Sequence, residues 1–417
     1  MKTNRFLLSF ALLPVIAFAQ LPLTEVERLA RERNPIIVAA RHETQAARAE
    51  ARQWIAPFLP IIDLFGYAGV RDGEARDTGS GVEMLNRSGT GLGASFGWDL
   101  YTGGRDATAR KLATQYYRDA QLREGVVWLD LLLEVRTEFS VAARVQEEIA
   151  AHAAAVESAI EIERAMKERL EAGRVPQSMM MSATAERLKR ERELGELKAE
   201  LVGALARVVA CCGAELSGGT VGAWDIKLEA PESLDAALQL AQTHSLEIQL
   251  ANLEILQQKS RYESAVQSNL PSLKLFANAD SVSNPAGDKK SGVTAGVSLS
   301  VPLLDGGLRR GARSEYRNKI LMVEAHRDHV ANQVRAETTA TWAQWETSSV
   351  SIKAAEAEVV AAGEAMRITL LRFEEGRDTQ ADVSRVRSEL LSAQSSLASA
   401  KEYQHKSWSK LKRLIGS

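Results

Sequence analysis

The sequence predicts a mainly α-helical chain that also carries strands of a transmembrane β-barrel, and three observations predict it. A strand running through a Gly-Gly turn into a long helix is written twice, at Leu92 to Leu112 (LGASFGWDLYTGGRDATARKL) and Ala295 to Tyr316 (AGVSLSVPLLDGGLRRGARSEY). An offset of 203 positions superimposes Gly103 on Gly306, Gly173 on Gly376, Glu186 on Glu389 and Leu188 on Leu391 without a gap, which marks an internal duplication. Each junction then opens a helical stretch of roughly 67 residues, near 100 Å at 1.5 Å per residue, longer than a globular domain needs.

The strands are read from their period. Leu92, Ala94, Phe96, Trp98 and Leu100 share one face against Gly91, Gly93, Ser95, Gly97 and Asp99; Ala295, Val297, Leu299, Val301 and Leu303 repeat this against Gly296, Ser298 and Ser300. One face is apolar and the other small and polar, as suits a barrel with lipid outside and a wet lumen inside. Each run has about the 9 to 11 residues that a tilted strand needs to cross a bilayer. Gly103-Gly104 and Gly306-Gly307 let the backbone turn into the helices that follow.

Taken in order, residues 1–19 read as an export signal: Lys2 and Arg5, an apolar run from Phe6 to Phe18, and the small residues of Ala17-Phe18-Ala19. No later apolar run reaches about 18 residues, so no transmembrane helix is expected. A helix is predicted over 24–56, opened by a Thr24/Glu27 capping box, locally broken at Pro35 and stopped by Pro57 and Pro60. A strand at 61–70, a polar Gly-rich loop and the first junction follow. Arg105 to Glu171 forms one helix, Gly173-Arg174-Val175-Pro176 turns it, and Gln177 to Cys212 returns. The linker 213–231, with Trp224 and Ile226, reads as a small strand-bearing patch. Helix 232–268, a strand at 272–282, the loop NPAGDKKSG, the second junction, helix 308–375, the turn at Gly376 and helix 380–415 complete the chain. The division is thus a signal (1–19), a first repeat (20–212), an equatorial linker (213–231) and a second repeat (232–417).

Helices 24–56 and 177–212 together match the 105–171 helix to within one turn, so two short helices placed end to end would lie alongside one long one. The second half repeats the arithmetic. Four bilayer-length strands cannot close a barrel, and open sheet edges are costly in lipid, so several chains must contribute strands. Two chains would give eight strands and three would give twelve. The Gly-rich inner face favours the larger, more open barrel.

These features in combination resemble the TolC-type outer-membrane efflux proteins. The resemblance rests on the doubled junction, the entries Phe58-Leu59-Pro60 and Asn269-Leu270-Pro271, the Asn34-Pro35 helix start and the turn GRVPQSMMMSATAERL. It implies a homotrimer with a shared twelve-stranded barrel, to which each chain gives four strands, continued by a long antiparallel α-helical tunnel through the periplasm. Outer-membrane lipid, a periplasmic adaptor and an inner-membrane transporter are the partners it implies. The helix turns would then close the tunnel and meet the adaptor, with Arg174, Val175, Pro176 and Arg377 as contact candidates.

The family usually carries Asp six residues after the turn Gly. That position is Asp382 in the second half, where three copies would ring the axis and attract cations; the alternative is a helix-start Asp held by the N-terminal dipole. The first-half equivalent is Met179. The positions of the family's tip-closing Arg and Tyr hold Asp378 and Phe373, so that lock does not carry over. Met179 to Met181 read as packing residues rather than a Cu(I) site, and His326 with His329 lack a third ligand.

Other classes are disfavoured. The 52 basic residues fall to 50 without Lys2 and Arg5, against 54 acidic, which offers no basic face for nucleic acid. Cys211 and Cys212 are the only cysteines and are adjacent, so no disulfide framework exists. No catalytic constellation, cofactor motif or metal cluster is visible. The expected role is a passive conduit for small molecules, with polypeptide cargo or a soluble periplasmic coiled-coil protein as alternatives.

Overall fold

The computed structural model describes residues 22–69, 89–213, 221–222, 228–283 and 289–416. The signal, the whole polar loop after the first strand (71–87), and Trp224 with Ile226 lie outside the described residues. The chain divides into two compact units. The first comprises the chain up to Ala40, Gly125–Ser245 and Ala331–Ser417; the second comprises Arg41–Glu124 and Leu246–Val330.

The second unit holds the sheet. β1 (Ile61–Gly69), β2 (Gly89–Tyr101), β3 (Ser272–Ser283) and β4 (Lys289–Ser300) pair antiparallel in sequence order, so β1 and β4 are its edges. Both hairpins share one register: Phe65 faces Gly93 and Ile61 faces Gly97 in the first, and Phe276 faces Gly296 and Ser272 faces Ser300 in the second. The apolar face is open, with Leu64, Leu92 and Val293 all more than 70% exposed.

β4 departs from the sequence reading at both ends. It begins at Lys289, which had been placed in the loop, and stops at Ser300, although the apolar alternation continues to Leu303. Pro302 has no N–H to give a ladder, so pairing ends before it, leaving Leu303 and Leu304 exposed.

The sheet is flanked by the unit's share of α2 (Pro35–Ile55), α3 (Arg105–Glu171), α6 (Leu246–Gln267) and α7 (Leu308–Glu374). The Trp54 and Tyr116 rings meet at a 46° tilt, centroids 4.7 Å apart, between α2 and α3. On the other side of α3, Thr108 donates to Gln267 Oε1 (2.8 Å) and Lys111 pairs with Glu263 (3.1 Å) on α6. The first junction is tightly covered, since a Cβ added at Gly103 would lie 2.6 Å from Cβ of Leu270. Among the described residues, nothing lies within 4 Å of the corresponding positions on Gly306 and Gly307.

In the first unit, α1 (Leu23–Arg33), α4 (Gln177–Cys212), α5 (Leu234–His244) and α8 (Gln380–Leu414) pack with parts of α3 and α7. Val26, Ala30, Val135, Phe139, Ala204, Val208 and Cys212 form its main core. α3 is tied on one side by Arg136–Glu27 and Arg144–Glu200, both 2.7 Å, and on the other by Arg144–Glu402 (2.7 Å) and Lys401–Glu147 (3.0 Å). The expected strand in the linker reduces, in the described residues, to Val221, whose N–H and C=O both bond the Gln146 amide.

One helix start differs from expectation. α1 begins at Leu23 behind Pro22, which has no side-chain acceptor, so Thr24 falls inside the helix and no capping box forms, and Glu27 pairs with Arg136 instead. The break expected at Pro35 is present, with Asn34 parting α1 from α2, whereas the predicted 232–268 helix is unexpectedly two helices, parted at Ser245; both residues are buried and non-helical. Asn34 stabilises its break by donating to Cys211 O (2.7 Å) and accepting from Ile36 N (2.8 Å). A glycine seats on each break. Gly213 (φ +65°) closes α4 against Arg33 and Asn34, and Gly416 (φ +74°) follows α8 against His244. A side chain at either site would strike backbone, so these close approaches require glycine.

Candidate functional site

The two helix turns lie within the first unit and share one geometry. Gly173 (φ +70°) donates to Leu170 O (2.9 Å) while Arg174 N donates to Arg169 O (2.8 Å). Gly376 (φ +77°) and Arg377 repeat these bonds to Phe373 O (3.0 Å) and Arg372 O (2.8 Å). This pair of bonds satisfies the last carbonyls of α3 and α7 and requires a left-handed residue between, which glycine supplies. Gly103, Gly104, Gly306 and Gly307 also have positive φ, at the strand-to-helix junctions.

The chain then re-enters a helix differently in each half. α4 starts behind Pro176, which provides no side-chain cap. α8 starts with a complete capping box: Thr379 Oγ1 accepts from Asp382 N (3.3 Å), and Asp382 Oδ2 accepts from Thr379 N (3.0 Å) and Thr379 Oγ1 (2.6 Å). The Thr379 hydroxyl and N–H hold the Asp382 carboxyl below the usual carboxylate range. Asp382 therefore carries a firm negative charge already engaged in capping the start of α8.

Around the turns a second core forms. Phe373, the residue standing where the family has a Tyr, is buried among Ile162, Met166, Ala183, Met366, Val383 and Val386, with Met180 packed beside it. The Arg169 guanidinium lies 5.0 Å from the centre of the Phe373 ring and donates to its carbonyl (3.4 Å), so the end of α3 holds the end of α7. The Gln380 amide reaches α4, donating to Met179 O (3.2 Å) and accepting from Ala183 N (3.0 Å). Met179 and Met181 are exposed. Arg174 and Pro176 are exposed, Val175 and Asp378 are half-buried, and Arg377 forms a solvent-facing pair with Glu375 (3.2 Å). His326 and His329 are both exposed on α7.

The sequence reading missed a buried pair of arginines further along. Arg190 on α4 is 3% exposed, pairs with Glu186 (2.7 Å) and Glu193 (3.0 Å), and donates to Ser388 Oγ (2.8 Å). Arg387 on α8, 4% exposed, donates to the Ser158 hydroxyl. Burial, and then the charge of Arg190, push the Arg387 guanidinium below its ordinary value. Nothing in the sequence separates these two from the many solvated arginines at helical spacing.

A family model described as outer membrane efflux protein matches residues 27–214 and 237–417. No curated protein matches the chain. Among solved structures, CusC is 13% identical with a TM-score of 0.77, over 95% of this chain and 92% of that one. The outer membrane protein VceC of Vibrio cholerae is 18% identical with a TM-score of 0.75, over 95% and 96%. The CmeC outer membrane channel of Campylobacter jejuni is 15% identical with a TM-score of 0.74, over 94% and 85%. At these identities the likeness is one of fold: a mainly helical chain with a small antiparallel sheet.

Proposed function

Because the chain belongs to the outer membrane efflux protein family, an outer-membrane family of transport proteins rather than enzymes, we propose that three copies close one twelve-stranded barrel. Their helices form a tunnel supplied with small molecules by an energised inner-membrane transporter, through a periplasmic adaptor. The observation that carries this reading is the sheet, with its open apolar face and two open edges. Unpaired strand edges in lipid cost several kcal/mol per backbone group, so β4 of one copy must meet β1 of the next. The bare second junction supports the same closure. Leu59 corresponds to Leu270 in the repeat, so Leu59 of the neighbouring copy would cover Gly306 as Leu270 covers Gly103.

The turn residues Arg174, Pro176 and Arg377, which are exposed, and the half-buried Val175 are assigned to adaptor contact. Asp378, Asp382, Phe373 and Met179 surround the closing end, where three Asp382 carboxylates would favour cations over anions. Planar-bilayer recording of the purified protein tests both points. Stable channels whose cation preference weakens in Asp382→Ala are expected. Channels indifferent to that change would leave Asp382 a capping residue only, and a protein that stays soluble without detergent and never conducts would overturn the conduit.

A further inference from the structure

We propose that Phe65 and Phe276 form an aromatic belt inside the barrel that binds bulky aromatic cations in transit. This rests on the conduit reading above, because the barrel decides which sheet face is the lumen. The face opposite Leu64, Leu92 and Val293 is mostly polar and rich in glycine: its rungs carry Asp63, Ser95, Asn278 and Thr294, or Gly93, Asp280 and Gly292, and Ile61 joins Gly97 and Gly296 in the rung of Phe276. Neither contact with lipid nor burial in a core explains a phenyl group there. Yet Phe65 and Phe276 stand on it at equivalent places, each opposite a glycine of its hairpin partner.

The rings lie on those glycines. A Cβ added at Gly93 would stand 2.5 Å from Cζ of Phe65, and one at Gly296 would stand 3.0 Å from Cζ of Phe276. Each ring thus reaches across its strand pair and sets its outer end over the facing glycine. Within one sheet the two rings are four residues apart in register, Phe65 level with Asp280 and Phe276 with Gly296. The stagger of a closed barrel removes that offset. Positions equivalent in the two repeats come to one height, so three copies present six phenyl faces in a single ring.

Charge selects the ligand. The rungs from Lys274 to Asp280 carry the carboxylates of Asp63, Asp99 and Asp280 against the ammonium of Lys274. Asp280 sits across Gly93 from Phe65, and Asp63 sits two residues before Phe65, so the carboxylates gather at the Phe65 ring, whereas the Lys274 ammonium lies over Gly97, opposite Phe276. An aromatic face beside a carboxylate attracts an organic cation, through the ring quadrupole and the charge together.

The test is block of single-channel current by three probes of similar size: tetraphenylphosphonium, tetrabutylammonium and tetraphenylborate. The wild-type channel should be blocked by tetraphenylphosphonium at concentrations at least tenfold below the other two. Phe65→Leu/Phe276→Leu, which keeps an apolar cover on Gly93 and Gly296, should lose that preference when block is read as a fraction of the variant's own unblocked current; Phe65→Ala/Phe276→Ala should lose it too. A leucine channel with undiminished preference would overturn the belt, as would a wild-type channel blocked alike by aromatic and aliphatic cations. Equal block by tetraphenylborate would overturn the cationic assignment. Absence of any wild-type channel would instead overturn the conduit reading itself, so the two failures are distinct.

Discussion

Replacing Gly213 with alanine should destabilise the protein several-fold more than the same change at Gly173, and the structure says why. Both have nearly the same backbone, φ +65° and +70°, so both pay the left-handed penalty of about 1 kcal/mol. Their surroundings differ. A Cβ at Gly173 has nothing within 4 Å, whereas one at Gly213 lies 2.7 Å from Arg33 O and 2.9 Å from Cα of Asn34. Neither contact can be relieved by rotating a side chain, and moving the break would disturb the Asn34 bond to Cys211 O. Overpacking of this kind adds about 1–3 kcal/mol. The expected totals are about 1 kcal/mol for Gly173→Ala and about 2–4 kcal/mol for Gly213→Ala. Thermal unfolding followed by helical ellipticity, in one detergent at one protein concentration and scan rate, measures the difference. Equal melting temperatures for the two variants would refute the role given to the glycine–break contact.

The His405 imidazole, buried on α8, has its pKa pushed down by burial to about 4. The unfolded chain takes up its proton near the ordinary value of 6.5 and the folded chain does not, so stability is complete above pH 6.5 and falls toward pH 4. The loss is about 3 kcal/mol at most. His405→Leu should flatten that part of a melting-temperature profile against pH, and an unchanged slope would exclude His405 as its source. Burial and then Glu134 push the Cys211 thiol up to about 12, while burial and then Glu25 push Cys212 up to about 11. At pH 8 a thiol reagent should therefore modify neither in the folded protein and both in denaturant; rapid labelling of folded protein, read by mass, would contradict their burial.

The long-range organisation was legible because it is periodic. The Gly-Gly junctions, the 203-residue offset and the alternation of Leu92 to Leu100 each repeat a local rule over many residues; the shared register of the two hairpins does not follow from that offset, since Phe65 and Phe276 stand 211 positions apart. The helix breaks were less visible. Asn34 is flagged by Pro35, but Ser245 has no such neighbour, and its break lies against Gly416, which no local pattern connects to it. Likewise, Thr24 and Glu27 have the spacing of a cap, yet the helix starts behind Pro22 and the tertiary partner Arg136 takes the carboxylate. At the turns, the glycines and the chain reversal were readable. The burial of Phe373 beneath Arg169, the reach of Gln380 and the Arg190–Arg387 pair depend on which helices become neighbours.

The central claim is that β4 of each copy pairs with β1 of the next until three copies close the ring. Ala94 faces Ala279 where β2 meets β3, and the repeat carries that pair to Val297 of one copy and Ala68 of its neighbour. In a Cys211→Ala/Cys212→Ala background, Val297→Cys with Ala68→Cys should therefore oxidise to a covalent species of three chains and no more. Denaturing electrophoresis of oxidised outer membranes reads the result. A band at three chains, absent from either single-cysteine variant, is predicted; an open-ended ladder, or no cross-link between chains, would contradict the closed three-copy barrel.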